Sequence, residues 1–102
     1  MKTVFSSVFE TDFAEAVAAF AQEATISLSN RFEVRVIEAY ERIAKHPQIG
    51  RRRKDLNRPE IRSFRVVGFD NYLIFYQLRA DRILFVRLLH GAMDLPAFLP
   101  EH

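Results

Sequence analysis

Residues 61–90, IRSFRVVGFDNYLIFYQLRADRILFVRLLH, decide the fold. Ile61 to Phe69, Asn71 to Arg79 and Arg82 to His90 are runs of similar length, rich in the β-branched and aromatic residues that suit strands. Gly68-Phe69-Asp70-Asn71 and Arg79-Ala80-Asp81-Arg82 separate them, with Gly, Asp and Asn in their turn-forming roles. Connections this short join only antiparallel neighbours, because a parallel return needs about a dozen residues. Tyr72-Leu73-Ile74-Phe75-Tyr76 is apolar continuously rather than alternately, which predicts a central strand buried on both faces.

The sheet needs a cover, and the first half of the chain supplies it. Thr3 to Phe9 reads as a short strand. Asp12, with Glu15 three residues on, makes a capping-box-like helix start. Phe13, Ala16, Val17, Phe20, Ala21 and Ala24 then recur at helical spacing on one face. Thr25 to Ser29 breaks that helix, and Asn30 or Ser27 caps a second. Its apolar stripe is Phe32, Val36, Ala39, Tyr40 and Ile43, with Glu38 and Arg42 four apart on the polar side. Pro47 disfavours helical geometry at His46 and stops the helix there. Phe20 and Val36, each on its helix's apolar stripe, are expected to be buried. The order β-α-α-β-β-β predicts an α+β fold, a helical hairpin packed on a mainly antiparallel sheet, in one domain over residues 1–102.

Composition narrows the function classes. Apolar residues make up 49% and charged residues 27%, as in an ordinary globular domain. Ten Phe and no Trp leave the aromatic packing mostly to phenylalanine. The absence of cysteine rules out disulfides and thiolate metal sites and suits a reducing, cytoplasmic setting. No apolar run approaches the roughly 18 residues of a membrane span, and the opening Met1 to Glu10 is too soon charged for a signal peptide. Residues 1–44 carry seven acids and four bases, a balance of −3, whereas residues 45–102 carry eleven bases and six acids, a balance of +5. The excess is densest at Arg51-Arg52-Arg53-Lys54, read as an exposed basic loop, with Arg58, Arg62 and Arg65 close behind. Such a patch attracts an anionic partner, or simply solvates a loop.

Groups able to do chemistry are few. His90 ends an apolar strand, where a histidine more often bonds a backbone group or caps a turn than acts in catalysis. His46 precedes the helix-stopping Pro47, and His102 is terminal. No His, Asp or Glu pair has metal spacing, three glycines make no phosphate loop, and no nucleophilic triad is apparent. Neither metal nor cofactor is expected.

The order of elements, together with Pro47 and Gly50 after the second helix, Arg62, Tyr72 and Tyr76, and His90-Gly91 with Asp94 and Leu99, resembles the RelE/ParE superfamily over essentially the whole chain. These are the toxins of bacterial type II toxin–antitoxin modules. RelE-type members are ribosome-dependent mRNA endoribonucleases, which need cations at the phosphate and an acid or base. The resemblance would give those roles to Arg62, Arg65, Arg87 and His90. Tyr40, Tyr72 and Tyr76 are the only tyrosines, so nothing phenolic follows the last strand, and Met93 stands where many relatives carry Arg before the Asp. His90-Gly91-Ala92-Met93-Asp94-Leu95-Pro96 is similar to the ending of ParE-like members, which are non-enzymatic inhibitors of DNA gyrase. The resemblance therefore implies a gyrase-binding toxin neutralised by a cognate antitoxin, as a toxin dimer or a toxin–antitoxin hetero-oligomer. Its target-binding residues would be Arg51, Arg52, Arg53, Lys54, Met93 and Asp94. An RelE-type nuclease and an inactive relative serving as an interaction module are the alternatives.

Overall fold

A computed structural model describes residues 1–100, so His102 lies outside the described residues. The elements in chain order are β1 (Lys2–Phe5), α1 (Ser7–Glu23), α2 (Ile26–Lys45), β2 (Arg51–Arg53), a 3-10 turn (Lys54–Leu56), β3 (Arg58–Val66), β4 (Phe69–Leu78), β5 (Arg82–His90) and α3 (Leu95–Phe98). They form the α+β architecture that the sequence pattern predicts, with a short edge strand, β2, added. The sheet order is β1-β5-β4-β3-β2, with β4 at the centre and every pairing antiparallel except β1 with β5. No helix is long and apolar enough to cross a membrane among the described residues.

Both helices begin earlier than the sequence suggests. The first strand ends at Phe5, not Phe9, because Ser6 caps α1 by accepting the Phe9 N–H at 3.0 Å. The same hydroxyl donates to the Val86 carbonyl at 2.8 Å, so one side chain fixes the helix start and its seat on β5. Asp12 is therefore a residue of the helix interior rather than its cap. Thr25, neither Asn30 nor Ser27, caps α2, and the break between the helices shrinks to Ala24 and Thr25. Ser29, read as part of the break, is buried in α2 and donates to the Val17 carbonyl at 2.8 Å, tying the helices together. The expected stop before Pro47 is where α2 ends.

The helices cover one face of the sheet, and the main core lies between them. It holds Phe9, Phe32, Val36, Ile43, Ile74, Tyr76, Ile83 and Phe85, all at most 1% exposed. Phe85 is its centre: the Phe5 ring stacks on it at 4.8 Å between centroids, and Phe9, Tyr40 and Tyr76 surround it. Val36 is fully buried as expected, but Phe20 is only half-buried, since it lies at the rim where α1 ends. On the opposite face a smaller cluster of Ile61, Phe75 and Leu89 is covered by Leu95 and Leu99 of the C-terminal segment.

Two polar clusters lock these layers. β1 pairs with β5 only as far as Phe85, and beyond it the edge of β5 is closed by side chains of α1. The Asp12 carboxylate accepts the Leu88 N–H at 3.1 Å and both Nε and Nη2 of Arg87 at 2.7 and 2.9 Å. Arg87 Nη1 reaches the Phe98 carbonyl at 2.9 Å, and its guanidinium lies 5.6 Å from the Phe98 ring centre. At the other end of the sheet the Tyr76 hydroxyl donates to the Pro47 carbonyl at 2.7 Å and accepts the Gly50 N–H at 2.8 Å. A Cβ at residue 50 would sit 2.5 Å from that oxygen, so only glycine passes.

Asp12→Ala leaves a partly buried guanidinium and a strand N–H without their acceptor, and should cost about 2–3 kcal/mol of stability. Asp12→Asn, which keeps one acceptor oxygen, should cost less; urea unfolding midpoints measure both. Gly50→Ala should destabilise by about 1–3 kcal/mol through overpacking. Tyr76→Phe in that background should not restore the midpoint, because the ring carbon Cε1 would still lie 2.7 Å from the new methyl.

Candidate target-binding site

The sheet face away from the helices carries a cleft of about 450 Å³. Strand alternation builds it: in the paired rows Ser63–Phe75 and Arg65–Leu73, all four side chains point to this face. β2 adds Arg51 and Arg53 along one wall, and Gly91 and Leu95 close the end. The basic segment at 51–54 and the segment after His90, far apart in sequence, thus meet at one surface.

Asp55 organises the basic wall. It takes Nε and Nη2 of Arg53 at 3.0 and 2.8 Å, and Nη2 of Arg51 at 3.0 Å. The hydrogen bond from Arg53, helped by the charges of Arg53 and Arg51 against slight desolvation, holds its carboxyl at about 2. Arg53 also donates to the Ser63 hydroxyl at 3.0 Å and lies 5.8 Å from the Phe75 ring centre. Two arginines share one carboxylate here, and exposed Arg65 makes no side-chain hydrogen bond or ion pair among the described residues. The cleft is therefore net positive.

The predicted basic loop is not one. Residues 51–53 are an edge strand and Lys54 opens the 3-10 turn. Arg53 is 8% exposed and serves packing and hydrogen bonding, so the reading of it as an exposed contact is corrected. Arg52 pairs in register with Arg62, turns away from the cleft and donates to the Pro59 carbonyl at 3.2 Å. Arg51 and Lys54 are exposed, as are Met93 and Asp94, which lie between the cleft-lining Gly91 and Leu95. Asp55, Ser63 and Leu73 were missed. No sequence signal pointed to them, because the four-residue spacing of Arg51 and Asp55 predicts contact only on a helix, and here it spans a strand and a 3-10 turn.

The residues that a nuclease would use are not brought together. Arg62 and His90 pair with Tyr76 and Tyr72 on the helix-covered face, whereas Arg65 pairs with Leu73 on the open one. Arg62 donates to the Gln48 and Gly50 carbonyls, and Arg87 is held by Asp12 and Phe98. His90 Nδ1 accepts the Ala92 N–H at 3.1 Å, the turn-capping role predicted for it. No group of three His, Asp or Glu is placed to hold a metal among the described residues.

Comparison with known proteins begins with the fold. A solved structure titled "Chromosomal ParDE TA system from P. aeruginosa" superposes with a TM-score of 0.70 over 88% of this chain and 95% of that one. At 10% identity, that likeness concerns the fold alone. Residues 4–95 match the family described as ParE toxin of type II toxin-antitoxin system, parDE. The chain belongs to the ParE toxin family. Toxin ParE3 of Caulobacter vibrioides is 34% identical over 65 residues, 64% of this chain. The chain spans only 61% of the length of that relative.

The Asp55 cluster has a pH signature. A carboxyl held at about 2, below its ordinary 3.8, contributes stability that is present above about pH 4 and lost as pH falls towards 2. Urea midpoints of the wild type should fall faster through that window than those of Asp55→Asn. Above pH 4 the difference should be small, because the carboxylate is largely exposed. Parallel slopes for the two proteins would contradict the pairing.

Proposed function

We propose that this protein is the toxin of a type II toxin–antitoxin module in the cytoplasm, acting by binding DNA gyrase through its basic open face and neutralised by a cognate antitoxin. One observation carries the reading. Of the side chains a nuclease would need, Arg62, Arg87 and His90 are each engaged in holding the structure, while Arg65 shares an exposed cleft with Arg51. A binding toxin needs a charged, shaped surface and no acid–base pair. Long-range attraction steers such a surface towards an anionic target and weakens as salt screens it. The antitoxin is proposed as an acidic, partly disordered chain that folds on the toxin. A neighbouring reading frame for a protein of that kind is the first thing to look for.

Inducing the gene while following growth, plasmid supercoiling and mRNA integrity tests the reading. Growth should stop, supercoiling should fall, and mRNA should stay intact. Arg65→Gln should weaken gyrase binding roughly tenfold, the ~1.4 kcal/mol scale of one charge-assisted contact, and flatten its salt dependence. His90→Gln should leave toxicity nearly unchanged, whereas an acid–base role would cost about 10²–10⁴ in rate. Ribosome-dependent mRNA cleavage lost in His90→Gln would restore the nuclease. A harmless protein that still binds its neighbour's product would mark an interaction module.

A further inference from the structure

At the end of the molecule where α1 finishes, Phe20 and Tyr72 form a half-buried aromatic ridge with ring centres 5.8 Å apart. Phe69 meets Phe20 edge-on at 5.4 Å, and His90 meets Tyr72 edge-on at 5.2 Å. A cleft opens on either side of the ridge. One, about 270 Å³, lies against Ala19, Glu23 and Ala24. The other, about 430 Å³, lies against Phe69, Asp70 and His90.

Each cleft has one carboxylate at its rim, Glu23 or Asp70, and no lysine or arginine in its lining. Neither carboxylate makes a side-chain hydrogen bond or ion pair among the described residues. By contrast Asp12, Glu38, Asp55 and Asp81 are each held by an arginine. Burial, then the nearby Glu23 charge, pushes the Tyr72 hydroxyl above its ordinary range, so the negative field reaches the ridge.

We propose that this ridge is a docking site for an arginine side chain carried on an extended segment of a protein partner. Aromatic faces attract cations, arginine most often. A planar guanidinium stacks on Phe20 or Tyr72 while its N–H fork reaches the rim carboxylate, which a lysine ammonium does less well. Two open clefts flanking one ridge suit a chain crossing it rather than a small free amine in a closed cage. The carboxylates repel a phosphate backbone, which sets this surface apart from the arginine cleft. The inference stands independently of the gyrase reading.

The full-length protein, isotope-labelled for NMR, is titrated with the peptide acetyl-Gly-Ala-Arg-Ala-Gly-amide. Its citrulline counterpart and free arginine amide are run in parallel. Backbone shifts should concentrate at Ala19, Phe20, Glu23, Asp70 and Tyr72, and Arg65→Gln should leave the affinity unchanged. Tyr72→Leu, and the double variant Glu23→Gln with Asp70→Asn, should each bind about threefold to tenfold more weakly. The double variant changes only exposed side chains, so it reports even if Tyr72→Leu fails to fold. No shifts at these residues, equal binding of the citrulline peptide, or an unchanged double variant would overturn the proposal. Binding of free arginine amide as tight as the peptide would also overturn it, by assigning the ridge to small cations.

Discussion

The carboxylate of Asp12 holds the layers of this protein in register. β5 is left with a bare edge where β1 stops at Phe85, and an unpaired strand edge is both a desolvation cost and an invitation to mispairing. Ser6 and Asp12 take the place of the missing strand residues, accepting and donating where a backbone would. The same carboxylate fixes Arg87 in a two-point grip, and Arg87 passes around the edge to hold the Phe98 carbonyl on the other face. One interaction thus sets the seat of α1, the end of the sheet and the position of α3 over the second core. Arg87 is thereby committed to structure.

A second junction decides what the open face presents. Tyr76 stands in the helix-side core, yet its hydroxyl binds the loop from Pro47 to Gly50, and Arg62, its partner in the same row, holds carbonyls of that loop. The close approach at Gly50 delivers the chain to the edge of β3 in a register that sets Arg51 opposite Ser63 and brings the Arg53 guanidinium to the Ser63 hydroxyl. Within β2, alternation, with a register shift between Arg52 and Arg53, leaves Arg51 and Arg53 at the cleft and Arg52 behind it. The positive surface therefore follows from strand periodicity acting on a buried tyrosine's anchor.

Much of this was legible in the sequence. Long periodic runs and turn residues located β3 to β5, the continuous apolar run placed β4 at the centre, and Pro47 ended α2. What escaped was set by competition among equally good local signals. Asp12 reads as the cap and Ser6 as part of the first strand, and only the seat on Val86 decides between two residues that can each cap a helix. Thr25 likewise reads as part of the break while Ser27 and Asn30 read as caps, although each of the three can accept a first-turn N–H. A three-residue edge strand has no periodicity to detect, so β2 read as a loop and Arg53 as exposed. The cleft itself joins residues 49–53, 63–65 and 91–95, and such an assembly appears only once the register is known.

The charge imbalance of the chain becomes spatial in the fold. The acidic first half places Asp12 and Glu23 on α1, one consumed by Arg87 and the other left free beside an aromatic ridge. The basic second half spends Arg53, Arg62 and Arg87 on holding the structure, lets Arg51 share Asp55 with Arg53, and leaves Arg65 on the open face. Net charge therefore says little about where a partner lands; what matters is which charges the fold has already satisfied. A buried arginine such as Arg53, each of whose guanidinium nitrogens already donates a hydrogen bond, offers little to a newcomer, since binding would first have to break the contacts it has. Charges without an ion pair among the described residues, such as Arg65 on the sheet and Glu23 at the end of α1, are the ones that can reward binding. They lie on distinct surfaces and select opposite chemistries.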